Sequence, residues 1–225
     1  MESIEKIIAK QLLDIKAVTL NVEEPYTWAS GWKSPIYCDN RKILSYPKAR
    51  TLVYKSLVRT IEHSYPQAEV IAGVATGAIA WGMLVAEALD KPFVYVRPTP
   101  KDHGTGARIE GELPPKAKVV IVEDLISTGQ SSLSAAECLN NAGANVLGMV
   151  AIFSYNFNKA RRSFEYSDIE LRTLTNYNTL IEEALECKYI EEKDLETLQD
   201  WRYRPDTWPQ NPSPSTSAST SASNG

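Results

Sequence analysis

Residues Val119 to Ser132 read VVIVEDLISTGQSS. Four apolar residues, Val119 to Val122, run into two adjacent carboxylates, Glu123 and Asp124. The small residues Ser127, Thr128 and Gly129 follow and lead into a helical pattern. A near-continuous β-branched run predicts a strand buried on both faces, as in a parallel sheet. Small residues opening a helix leave backbone N–H groups and the positive end of the helix dipole facing a phosphate. The two carboxylates, a short loop away, suit the hydroxyls of a sugar, so the stretch is chemically matched to a pentose 5-phosphate. On spacing alone, a strand, an acidic turn and a serine helix cap account for the same residues equally well. Two other phosphate motifs are absent: no G-x-x-x-x-G-K-[ST] occurs, and GTGARIEG at 104–111 lacks the G-x-G-x-x-G spacing.

Working outward, further strand-like runs lie at Val70–Val74, Phe93–Val96 and Val146–Phe153, with helical stretches at Ala78–Leu89 and Ser131–Ala142. This alternation predicts an α/β fold with a mostly parallel sheet covered by helices. Ahead of it, Ile4, Ile7, Ile8, Leu12 and Ile15 recur at helical spacing. WASGWKSPIYCDNR, Trp28 to Arg41, reads as a structured loop or short strands, and a proline-started helix fits Pro47–Glu62. Lys101 to Lys118 is charged, rich in Gly and Pro, and reads as a long mobile loop. A strand at Ile169–Leu174 and two short helices follow. Beyond Trp208 the Ser/Thr/Pro/Ala-rich tail, 209–225, cannot bury apolar surface and is expected to be disordered.

A length of 225 residues suits one domain, 1–208, plus the tail. A net charge of −4 without a basic stripe argues against a nucleic-acid binder. No apolar run reaches the length of a membrane span, and the charged N-terminal helix has no signal-peptide centre. Cys38, Cys138 and Cys187 form no metal-ligand spacing and read as reduced thiols of a cytoplasmic protein. With only His63 and His103 in the chain, a His-rich metal site is excluded, and His63 is given no role.

The Val119–Ser132 stretch resembles the binding motif for 5-phosphoribosyl 1-pyrophosphate (PRPP) in type I phosphoribosyltransferases. Three more segments resemble the orotate branch of that family: SGWKSPIYCDNR (Ser30–Arg41), IAGVATGAIAWG (Ile71–Gly82) and VRPTPKDHGTGARIEG (Val96–Gly111). Together they spread the likeness over Met1 to Trp208. The resemblance implies a base-covering segment within 1–46 and a flexible catalytic loop at 97–118. It implies that Glu123 and Asp124 hold the ribose hydroxyls. Leu125, Ile126, Ser127, Thr128, Gly129, Gln130 and Ser131 would wrap the 5-phosphate, with Ser127 also touching orotate. The Gly73–Gly77 turn would face the pyrophosphate. Arg97, Lys101 and His103 would be the loop cations that, with Asp124, serve catalysis, because departing pyrophosphate needs its charge stabilised. The implied metal is Mg²⁺, held chiefly by substrate and water rather than by side chains, and the implied assembly is a homodimer with shared active sites.

The chain departs from the family pattern in places. Ala29 and Pro98 stand where many members carry lysine, Gln130 where glycine is common, and Ala107 or Arg108 where asparagine is found. Some members grip orotate's carboxylate with an arginine after the strand ending near Phe153, where this chain has Ser154, Tyr155 and Asn156. Lys33, Arg41 and Arg108 are left as candidates for that cation. The rival readings are a phosphoribosyltransferase for another base, a non-catalytic PRPP-binding regulator, and a purely structural α/β domain. The Ser30–Arg41 segment weighs against the first. The absence of room for a DNA-binding domain weighs against the second, and the coincidence of four motifs against the third.

Overall fold

The computed structural model describes residues 3–100 and 108–208. Helix α1 (Ile4–Asp14) begins at Ser3, whose hydroxyl accepts from the Lys6 amide at 3.3 Å. Four short strands follow, β1 (Val18–Leu20), β2 (Tyr26–Thr27), β3 (Lys33–Ser34) and β4 (Ile36–Cys38), as two antiparallel pairs, β1 with β4 and β2 with β3. A 3-10 turn at Asn40–Ser45 leads into α2 (Pro47–Ser64), whose first residue is the expected proline.

The body of the chain is β5 (Val70–Val74), α3 (Ile79–Leu89), β6 (Phe93–Val96), β7 (Ile109–Glu110), β8 (Lys118–Ile126), α4 (Gln130–Asn141), β9 (Asn145–Ser154), α5 (Asn158–Tyr166) and β10 (Leu171–Asn176). Helices α6 (Tyr177–Glu186) and α7 (Leu195–Tyr203) close it. Six strands form one sheet in the order β10-β9-β8-β5-β6-β7, parallel except for β7. From the central pair the chain leaves β5 through α3 toward β6, and leaves β8 through α4 toward β9 in the opposite direction. Right-handed crossovers then put α3 on one face of the sheet and α4 on the other. Helices α1 and α2 join α3's face, and α5 lies beside α4. The strand core between them, including Ile71, Val120, Ile121 and Val150, is fully buried.

Three expectations need correction. The strand read as Val119–Val122 extends to Ile126, so Glu123 and Asp124 sit on the strand itself rather than in a loop after it. Its pairing with β9 continues through Glu123↔Ala151 to Ile126↔Ser154, which holds the polar residues in the ladder. The segment 97–118 is not one long loop: Ile109–Glu110 pairs antiparallel with Tyr95–Val96 at the sheet's outer edge. Helix α5 was not foreseen, because in NKARRSFEY only Ala160 and Phe164 are buried, too few to make an apolar stripe. Lys101 and His103, and the expected tail at 209–225, lie outside the described residues. No helix among the described residues is long and apolar enough to cross a membrane.

Candidate active site

Where two neighbouring parallel strands send their crossovers in opposite directions, the connections part and leave a crevice beyond the strands' carboxyl ends. Between β5 and β8 that crevice is a cavity of about 260 Å³, lined by Val74 to Gly77 on one side and by Glu123, Asp124, Leu125 and Ser127 to Ser132 on the other.

The cradle is made of backbone. The first amide bonded within α4 is that of Leu133, to the Gly129 carbonyl at 2.9 Å. No side chain caps the helix, so the amides ahead of Leu133 are left outside its own ladder. Gly129 has φ +80°, and a Cβ there would stand 2.8 Å from Cε2 of Phe164 on α5. Both the turn and the helix that packs over it therefore require glycine. Opposite, α3 also starts without a side-chain cap. A Cβ on Gly77 would collide with the Asp124 carboxylate, so glycine lets this turn close onto the strand.

Successive residues of a strand lean to opposite sides, which gives the two carboxylates different neighbours while their side chains stay in contact with each other. Asp124 abuts Gly77 at the head of α3. Glu123 turns toward α4: its Oε2 accepts from the Ser132 hydroxyl at 2.8 Å and its Oε1 from the Asp124 amide at 2.9 Å. Glu123 is only 4% exposed. Burial, reinforced by the neighbouring Asp124 charge, pushes its carboxyl well above the usual range. Burial also raises Asp124, while Arg41 and local hydrogen bonds pull it down. Both carboxyls line the cavity, Asp124 against Gly77 and Glu123 against Ser132.

The N-terminal segment docks directly on this strand. Asn40, 1% exposed, donates from Nδ2 to the Asp124 carbonyl at 2.6 Å. Trp28 packs against Trp32, Tyr155 and Trp201 with ring centroids 5.1–6.4 Å apart. Trp201 Nε1 donates to the Lys33 carbonyl at 3.1 Å, which pins the segment to α7.

Of the residues expected at the site, Glu123, Asp124, Leu125, Ser127, Thr128, Gly129, Gln130 and Ser131 are brought together around the cavity. Ile126 is not among them: its side chain is fully buried in the core, and its carbonyl accepts from the Tyr155 amide at 3.0 Å. Arg97 lines an adjoining cavity of about 230 Å³ with Arg108, Gln130, Ser131 and Ser134. There Arg108 donates from Nε to the Arg97 carbonyl at 2.9 Å and from Nη1 to Ser134 Oγ at 3.1 Å. The parts played by Asn40, Ser132 and Ser134 were not read from the sequence. Asn40 and Ser132 carried a signal, through their places in the quoted Ser30–Arg41 and Val119–Ser132 segments, and Ser134 carried none.

Two helix starts without side-chain caps, facing each other beside Asp124 at this switch point, suit an anionic ligand, and residues 43–188 match the phosphoribosyl transferase domain family, which makes the chain a phosphoribosyltransferase. The chain is 54% identical over 208 residues to the orotate phosphoribosyltransferase of Porphyromonas gingivalis, covering 92% of this chain and 99% of that one. It is 52% identical over 206 residues to the enzyme of the same name from Listeria innocua, with 92% and 99% covered. The crystal structure of the Aeropyrum pernix orotate phosphoribosyltransferase superposes with a TM-score of 0.69 at 26% identity, over 82% of this chain and 99% of that one. The chain belongs to the orotate phosphoribosyltransferases.

Proposed function

We propose that this enzyme transfers the phosphoribosyl group of PRPP to N1 of orotate, giving orotidine 5-monophosphate and pyrophosphate, a step of de novo pyrimidine synthesis. The observation that carries the reading is the single crevice between β5 and β8, where the α4 cradle, Asp124 and the Asn40-anchored segment meet. The amides before Leu133 would take the 5-phosphate, and Asp124 a ribose hydroxyl. The turn at Thr76–Gly77 would take the pyrophosphate. These contacts hold the anomeric carbon between the leaving oxygen and the incoming nitrogen. The C1–O bond breaks with its electron pair going to pyrophosphate, C1 passes through an oxocarbenium-like state, and N1 of orotate forms the new bond as its N–H proton is lost to solvent. Positioning and stabilisation of the departing charge supply the acceleration.

The oxygen donors around the cavity, the Asp124 carboxylate and the hydroxyls of Ser127, Thr128 and Ser131, fit a hard cation such as Mg²⁺. Mg²⁺ would neutralise pyrophosphate charge, held chiefly by substrate and water beside Asp124. Two further readings go with this one. The enzyme works as a homodimer in which Arg97, Lys101 and His103 serve the neighbouring subunit's site. It resides in the cytosol, supported by three free cysteines.

Incubation of the purified chain with PRPP, Mg²⁺ and a panel of bases tests the proposal. Orotate should be consumed while adenine, hypoxanthine and uracil are ignored. Equal or better turnover of any of these three would overturn the assignment to orotate and leave the fold untouched.

A further inference from the structure

We infer that Arg41 is the cation that receives the carboxylate of the pyrimidine acceptor, and so sets the preference for orotate over uracil. The inference rests on the proposed reaction and names a residue for it. Orotate carries its carboxylate into a crevice already occupied by Asp124 and the phosphates of PRPP. Like charges at such distances repel, so a cation has to meet it. The strand end after β9 supplies none: Tyr155, 2% exposed, is stacked on Phe157 with ring centroids 5.3 Å apart, between Ser154 and Asn156.

Four described cations come into question, and the structure separates them. Lys33 donates from Nζ to Thr27 Oγ1 at 2.7 Å, within its own hairpin. Arg108 is turned to the α4 side, on the Arg97 carbonyl and Ser134. Arg202 donates to the Asn156 carbonyl at 3.2 Å and lines a separate groove along α5 with Phe157 and Phe164. Arg41 remains. It follows Asn40, whose side chain is bonded to the Asp124 carbonyl, so its backbone is fixed beside the crevice. Asp39 Oδ1 accepts both from its amide at 3.2 Å and from its Nε at 2.7 Å, which orients the guanidinium. Its two Nη groups make no hydrogen bond among the described residues, and its charge reaches Asp124, where it offsets part of the rise that burial gives that carboxyl. An arginine held by Nε with a free pair of Nη donors presents the fork that a carboxylate fits.

Steady-state kinetics on the full chain test this, varying orotate and PRPP separately and offering uracil as an alternative acceptor. Arg41→Gln should raise KM for orotate about 10- to 100-fold, the effect of losing one hydrogen-bonded charge partner. It should leave KM for PRPP near the wild-type value, and the ratio of kcat/KM for orotate to that for uracil should fall. Arg41→Lys should recover part of the loss, whereas Lys33→Gln and Arg202→Gln should behave as wild type. An unchanged orotate KM in Arg41→Gln, an equal rise in KM for PRPP, or the orotate defect appearing instead in Lys33→Gln or Arg202→Gln would each overturn the inference. A wild-type chain that ignores orotate would overturn the proposed reaction as well, so the two failures are told apart before any variant is made.

Discussion

Glu123 and Asp124 are adjacent in the chain, yet the alternation of a strand gives them different surroundings and different chemistry. Asp124 meets the crevice and the Arg41 charge, while Glu123 is enclosed by Ser132 and its own neighbour's amide. A buried carboxyl with a raised pKa favours the protonated folded state. Its contribution to stability is complete below the unfolded value, 4.5, and is lost as pH rises through the higher folded value. Glu123→Gln keeps the shape and stays neutral, so it removes this loss. Thermal melts of the unliganded enzyme at pH 5, 6.5 and 8 should show the variant gaining on wild type as pH rises. A gap of a few degrees, roughly 2–4 °C for each kcal/mol in a chain of this size, is the scale to expect. A gap that stays constant or closes with pH would mean that the buried carboxyl does not titrate as its surroundings dictate.

The β6–β7 hairpin is the element that sets Arg97 beside the first turn of α4. Arg97 and Arg108 clasp its base through Arg97 N to Arg108 O at 2.8 Å and Arg108 Nε back to Arg97 O. Ser134, one turn into α4, ties that clasp to the helix that forms the phosphate cradle. Arg108→Lys and Ser134→Ala should each lower kcat about 3- to 10-fold with little change in orotate KM. The double variant should lose no more than the worse single one, because both cut one connection; additive losses in stopped-assay kinetics would separate the two residues. Elements of this kind mark the boundary of what the chain discloses by itself. The buried parallel strands were legible because β-branched runs such as Val119–Val122 have no other comfortable place. The continuation of β8 through Glu123 and Asp124 was not, since polar residues signal a turn until β9 is known to pair with them. Helix α5 escaped for the converse reason: its period rests on just two buried residues, Ala160 and Phe164, in a polar stretch, and Phe164 matters through its contact with Gly129, 35 positions earlier in the chain. The cradle's small residues were legible as a helix start, but their spacing alone left a plain serine cap equally open until the resemblance was added. The links from Asn40 and Ser134 were not legible, because they join elements across 84 and 26 positions.

At the scale of the whole molecule, β6 and β7 stand at the edge of the sheet, and the homodimer proposed above would place a twofold partner beside that edge. Mixing Lys101→Ala with Asp124→Asn, both inactive alone, under conditions of subunit exchange should therefore restore activity. Random pairing makes about half the dimers mixed, each with one intact site, so about a quarter of wild-type activity is expected. No recovery despite demonstrated exchange would place both groups in one subunit's own site. The aromatic cluster around Trp201 has a consequence for the order in which this molecule is made. Trp28 and the Lys33 carbonyl, near the start of the chain, are held by a tryptophan 168 positions after Lys33. A ribosome extends a chain from its N-terminus at about 5–20 residues per second, so Trp28 and Lys33 wait about 10 to 30 seconds for their partner. The β5–β8 side of the crevice can assemble on the nascent chain, but the segment around Trp28 and Lys33 is fixed last, when Trp201 has left the exit tunnel.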